Sequence, residues 1–154
     1  MNEALYPIPI LIITVAFLIR AELRKKKRQI YVLKPLATLT VIAVALLAAL
    51  DPGHHPTYTW GVLVGLLLSL GGDVALMFEG KRAFTLGLGL FLLAHVAYTV
   101  VFAVLGHFSL LDLLTALVLL GACAAFYRLI RANLGSMRGA VIAYMIIISL
   151  MVTQ

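Results

Sequence analysis

The chain has 154 residues, of which 64% are apolar and 12% charged, and its mean hydropathy is +1.12. An ordinary soluble domain is roughly 45–50% apolar, so the composition excludes a soluble globular enzyme, a disordered polypeptide and a disulfide-rich secreted module. The one cysteine, Cys123, excludes an internal disulfide and a Cys-based zinc site.

Apolar segments run over residues 4–19, 32–50, 60–78, 84–105, 109–127 and 139–153. A helix that crosses a bilayer needs about 20 residues, so the expectation is an all-α polytopic transmembrane bundle of about six spans forming one domain, with the first and last spans short. The first segment follows Met1, Asn2 and Glu3, without Lys or Arg, and its positive cluster comes after it. It therefore reads as an anchor with its N-terminus outside, and not as a cleavable signal peptide.

Charge supports that orientation. With the N-terminus outside, the cytoplasmic connections hold Arg20, Arg24, Lys25, Lys26, Lys27, Arg28 and Lys34, then Lys81 and Arg82, then Arg128, Arg131 and Arg138. These are all 12 of the Lys and Arg residues, and the connections at 51–59 and 106–108 hold none. The net charge of +6 is thus a topology signal, and it does not require nucleic acid as a partner. The run 24–28 also offers attraction to anionic headgroups. Connections are short, so consecutive helices pack as antiparallel neighbours. Gly61 and Gly65 form a small-residue pair that permits close helix approach, and Gly87 and Gly89 offer the same on the fourth span.

Polar residues inside spans are the informative ones, because each is costly unless it faces protein or water. Asp73 lies five residues before the end of the third span, about 7–8 Å inside the cytoplasmic boundary at 1.5 Å per residue. Desolvation at that depth favours the neutral, protonated carboxyl. Ser69, one turn earlier, and Gly72 give the same helix a small polar face. On the fourth span His95 and Tyr98 share a face with Phe91 and Phe102, and a histidine near mid-membrane can carry protons near neutral pH. Lys34 opens the second span, followed by Pro35, which suits a first helical turn because it needs no N–H there. Lys34 reads either as a snorkelling side chain or as a cation near Asp73 or a headgroup; Thr38 lies one turn further in on its face.

Other polar residues carry less. His54 and His55, with Asp51, sit in a Pro/Gly loop where histidines are ordinarily solvated. Cys123 reads as a small core residue. Ser69 has no G-x-S-x-G elbow, so a serine hydrolase is not indicated. Tyr144, Ser149 and Thr153 give the last span some polarity, which packing explains equally well.

Three ordered motifs carry a resemblance. Lys34-Pro35-Leu36 with Thr38, then Leu68-Ser69-Leu70-Gly71-Gly72-Asp73 followed by Leu76, then Gly89-Leu90-Phe91-Leu92-Leu93-Ala94-His95 with Tyr98 and Phe102, together resemble the YhhN-like, lysoplasmalogenase family of multi-pass membrane proteins. The likeness is good over residues 30–105 and looser over 144–151. It implies a hydrolase that cleaves the vinyl ether bond of lysoplasmalogens, releasing a fatty aldehyde and a glycerophospho-alcohol. Members usually have more spans and a further polar motif in their final helices, so relative to the family the resemblance leaves two readings: a sequence incomplete at its C-terminus, or a site without that second polar residue.

Vinyl ether hydrolysis begins with protonation of the alkenyl carbon and proceeds through an oxocarbenium ion that water captures, a logic close to glycoside hydrolysis. On that chemistry Asp73 is the expected acid, His95 a base or relay and Tyr98 its orienting partner. Lys34, Thr38 and Ser69 are the expected lysophospholipid-binding residues. The chemistry needs no metal or organic cofactor. Two other classes stay open at this stage: a small proton-coupled transporter using Asp73 and His95 as its relay, and a non-catalytic assembly subunit whose polar residues bind helices together. The absence of a targeting peptide and the lipid chemistry suit a bacterial inner membrane.

Overall fold

The computed structural model describes residues 6–106, 109–131, 135 and 138–153. Among them are six α-helices and no strand: α1 (Ile8–Leu23), α2 (Lys27–Ala48), α3 (Pro56–Ala75), α4 (Lys81–Leu105), α5 (Leu110–Ile130) and α6 (Arg138–Val152). The all-α expectation holds, with one helix for each apolar segment. Helices α2 to α5 are long and apolar enough to cross a membrane. With 16 and 15 residues, α1 and α6 fall below the usual span of roughly 17–25. Several apolar helices of this kind mark an integral membrane protein. Part of the expected outer connection at 106–108 lies outside the described residues.

The helix ends follow from local chemistry. Pro7 and Pro9 open α1, where missing N–H groups leave no helical hydrogen bond unmade. Its other end is a Schellman turn: Lys26 N–H donates to the Ala21 carbonyl at 2.9 Å and Lys25 N–H to that of Glu22 at 3.0 Å. That turn puts Lys25 at φ 51°, a left-handed conformation more often given to glycine. Pro56 opens α3. In α5 a reciprocal cap forms, with Ser109 N–H donating to Asp112 Oδ2 at 2.6 Å and Asp112 N–H to Ser109 Oγ at 3.3 Å.

Two boundaries near the site differ from the sequence reading. Helix α2 starts at Lys27, so Lys34 and Pro35 lie inside it and not at its opening. The basic run before Val32 is helical because Lys, Arg and Gln are good helix formers whose stems need no apolar neighbour. Pro35 then leaves the Tyr31 carbonyl without its helical donor. Helix α3 ends at Ala75 and not at Phe78, which places Asp73 in its last turn, closer to the helix end than the hydropathy pattern implied.

The chain divides into two compact units, Met1–Ala94 and His95–Gln154, the boundary falling within α4. In the first unit α1 packs on α2 and α2 on α3; in the second, α5 packs on α6. The buried side chains are mostly small, Ala21, Ala75 and Ala94 among them, while Leu23, Val118 and Leu129 are more than 70% exposed. Small-inside, large-outside is the pattern of helices solvated by lipid tails, where backbones approach through small residues. Gly72 and Gly87 act this way between α3 and the start of α4. A Cβ at Gly72 would stand 2.8 Å from the Phe91 ring, and one at Gly87 would stand 2.7 Å from Leu76 and 3.2 Å from the Gly72 carbonyl oxygen. Gly89, expected to serve the same purpose, has nothing within 4 Å of a Cβ position, because it lies two residues, about 200° of helix turn, away from Gly87.

Threonine hydroxyls follow one rule. Those of Thr14, Thr40, Thr85, Thr99 and Thr115 donate to the carbonyl four residues back at 2.8–2.9 Å, and those of Thr59 and Thr153 do so at 3.2 and 3.0 Å. The helix thus satisfies each hydroxyl internally.

Candidate functional site

Residues 27, 31, 34 and 38 recur at helical spacing along one face of α2, over roughly 16 Å of helix. Each side chain meets the end of α3 or the turn after it. Lys27 Nζ stands 2.8 Å from Glu79 Oε1. The Tyr31 hydroxyl donates to the Met77 carbonyl at 2.8 Å. Lys34 Nζ lies 3.3 Å from Asp73 Oδ1, and the Thr38 hydroxyl donates to Asp73 Oδ2 at 2.6 Å. A polar ladder therefore runs from the exposed mouth of the α2–α3 hairpin into its apolar interior.

Both carboxylate oxygens of Asp73 are engaged, one by a cation and one by a hydroxyl. The residue is 9% exposed. As a negative charge in the last turn of α3 it sits at the negative end of that helix's dipole, and the Lys34 ammonium offsets the unfavourable field. A buried, singly partnered carboxylate would be costly; one with a cation and a short hydrogen bond is tolerated. Lys34 keeps a third of its side chain exposed, so it reaches both Asp73 and the open side. The Thr38 hydroxyl is also 3.4 Å from the Lys34 carbonyl. Its one hydrogen serves the shorter bond, so Thr38 departs from the rule followed by the other threonines.

At the exposed end of the ladder, hydrogen bonding to Lys27 and then its charge hold the Glu79 carboxyl below the usual 4.5. A cavity of about 250 Å³ opens there, walled by residues from the end of α1, the first half of α2 and the turn after α3, with Lys34 at its inner limit.

Lys34, Thr38 and Asp73 thus form one constellation, in which Lys34 takes the position near Asp73 that was one of its open readings. Ser69 is half-buried one turn before Asp73 on α3. His95 and Tyr98 lie in the second unit, where their rings meet edge-on with centroids 6.3 Å apart. There His95 also meets the Tyr144 ring of α6 at 5.2 Å, and Tyr98 stacks on Phe102 at 6.4 Å. Tyr144, for which packing and function read equally well in the sequence, is therefore a functional candidate; the ring contact between α4 and α6, unknowable from spacing, was the missing signal. Lys27, Tyr31 and Glu79 were missed too, although the spacing of 27, 31, 34 and 38 marks one face. Of the lesser candidates, His54 Nδ1 lies 2.6 Å from the Asp51 carbonyl oxygen in the loop, and Cys123 Sγ lies 3.6 Å from Ser149 Oγ between α5 and α6.

The family model described as the YhhN family matches residues 29–154, which include every residue of the Lys34–Thr38–Asp73 cluster and the His95–Tyr98–Tyr144 group. No curated protein and no solved structure matches the sequence.

Proposed function

The chain belongs to the YhhN family, and from that premise we propose that it is an integral membrane hydrolase that cleaves the vinyl ether bond of lysoplasmalogens. The observation that carries the reading is the Asp73 carboxyl, buried where α2 meets α3 and held by Thr38 and Lys34. A vinyl ether is a weakly basic carbon nucleophile, and its hydrolysis needs an acid positioned to protonate that carbon. Asp73 gives a proton to the alkenyl carbon farther from the ether oxygen, and the resulting oxocarbenium ion lies against the carboxylate so formed. Water adds to the carbon bearing the oxygen and returns a proton to the protein, and the hemiacetal collapses. The carbon–oxygen bond breaks, leaving a fatty aldehyde and a glycerophospho-alcohol.

The Thr38–Asp73 contact can accommodate either protonation state of the acid. When Asp73 carries a proton on Oδ2, that proton is donated to Thr38 Oγ1, and the Thr38 hydroxyl turns to the Lys34 carbonyl already 3.4 Å away. Both states of the acid are then hydrogen-bonded. Lys34 and Ser69 are assigned to substrate binding beside Thr38, Lys34 through the lipid phosphate. His95 is assigned as base or proton relay, with Tyr98 orienting its ring. The setting that fits this lipid chemistry is a bacterial inner membrane.

Aldehyde release from a 1-alkenyl lysophospholipid by the purified protein in detergent tests the proposal. The expected result is release by the unmodified protein and a loss of at least about a hundredfold in a folded Asp73→Asn variant, the usual scale for a general acid. Absence of release from the unmodified protein, or full activity in Asp73→Asn, would overturn it.

A further inference from the structure

We infer that the cavity at the mouth of the α2–α3 hairpin is a headgroup site for a zwitterion, its lysines taking the phosphate of a lysophospholipid and its carboxylates the headgroup ammonium. This rests on the lysophospholipid reading of the neighbouring Asp73 cluster. The cavity is walled by Glu22, Lys27, Tyr31, Lys34, Phe78 and Glu79 among others. A simple anion placed there would meet Glu22 and Glu79, and a simple cation would meet Lys27 and Lys34. Only a ligand carrying both charges finds each opposed by its counterpart.

The Lys27–Glu79 pair is the element that opens. Its side chains are 72% and 83% exposed, and so open a pair contributes little to stability. A zwitterion inserted between them puts phosphate on Lys27 and ammonium on Glu79, turning one weak ion pair into two. The rings of Tyr31 and Phe78 line the same crevice and add a face for an ammonium. Tyr31 is fixed to the wall by its bond to the Met77 carbonyl, so its ring is positioned before any ligand arrives.

Lys34 orders the ligand along the ladder. It borders the cavity on one side and contacts Asp73 at 3.3 Å on the other. Phosphate and ether oxygen occupy opposite ends of one glycerol. A phosphate between Lys27 and Lys34 therefore directs the ether toward Asp73, while the ammonium points outward to Glu22 and Glu79. These two acids are thus specificity-determining residues, outside the chemistry itself.

The test measures binding separately from turnover. Saturated 1-O-alkyl lysophospholipids, which lack the vinyl bond, are titrated calorimetrically into the protein in detergent, carrying phosphoethanolamine, phosphocholine, phosphoglycerol or bare phosphate. The two zwitterionic lipids are expected to bind about tenfold more tightly than the two anionic ones. In Glu79→Gln and in Glu22→Gln/Glu79→Gln that preference falls towards unity, while the anionic lipids bind as well as before or better. Lys27→Gln weakens all four. Equal affinity for every headgroup, no binding of any lipid, or an unchanged preference in the double variant would overturn the inference. The expected preferences without aldehyde release from a 1-alkenyl lipid would uphold the headgroup site and overturn only the proposed hydrolysis.

Discussion

Thr38 and Asp73, 35 residues apart on different helices, share the 2.6 Å hydrogen bond that ties the middle of α2 to the last turn of α3. The bond is short because its acceptor is a carboxylate and its surroundings are apolar, conditions that strengthen a hydrogen bond and make its loss felt. Replacing Thr38 by valine keeps the shape and removes the donor. The expected cost is about 1–2 kcal/mol, read by chemical unfolding in detergent. In a double-mutant cycle with Asp73→Ala, the coupling should exceed about 0.5 kcal/mol. Strict additivity would mean that the two side chains do not interact.

Lys34→Met removes the ammonium and keeps most of the stem. Asp73 is then a buried carboxylate with a single hydroxyl donor, and a destabilisation of about 1–3 kcal/mol is expected, below the range for a fully buried pair because Lys34 is partly exposed. A second change, Asp73→Asn, removes the stranded charge and should recover most of that loss. Thermal unfolding of the single and double variants checks this, and failure of the second change to help would show that Lys34 acts by packing.

Gly87 and Gly89 lie on one helix and should respond in opposite directions to alanine. At Gly87 the added methyl meets Leu76 and the Gly72 carbonyl oxygen, so α3 and α4 must separate, at a cost of about 1–3 kcal/mol. At Gly89 the methyl meets nothing, and the gain in helix propensity, up to about 1 kcal/mol, remains. A pair of thermal melts decides; equal effects would contradict the packing described.

Glu79 provides a pH signature. Its carboxyl is held below the usual 4.5 by the hydrogen bond and charge of Lys27, so the folded state binds the proton less readily than the unfolded one. The pair's contribution is complete above pH 4.5 and is lost as pH falls through the lowered value. The difference in Tm between the unmodified protein and Glu79→Gln should hold steady from neutral pH to about pH 5 and shrink below that. Added salt should shrink it at any pH, since the pair is open to solvent. A difference that grows on acidification would exclude the ion pair as its source.

The six helices were legible because hydropathy alone separates them, and a Lys34–Asp73 pairing was one of the readings open because intramembrane polar residues seek one another; the Thr38 bond to Asp73 was not, since it depends on how α2 and α3 register. What hydropathy misplaces are helix ends made of polar residues. Lys27 to Tyr31 belong to α2 although nothing apolar marks them, and the turn from Leu76 to Phe78 lies outside α3 although it is apolar. The Lys27–Glu79 and Tyr31–Met77 contacts depend on the register of α2 against that turn, which no single segment encodes. The edge contact of His95 with Tyr144 depends on which later helix packs beside α4, again a tertiary choice.

The threonine rule bears on which substitutions the membrane would tolerate. A hydroxyl folded back onto its own helix leaves a methyl group and little else to its surroundings, so Thr85, Thr99 and Thr115 are valines to a lipid tail, and Thr14 and Thr40 are valines to the helices that bury them. A threonine-to-valine scan should therefore run nearly flat along the sequence and dip at Thr38, whose hydrogen is lent to another helix.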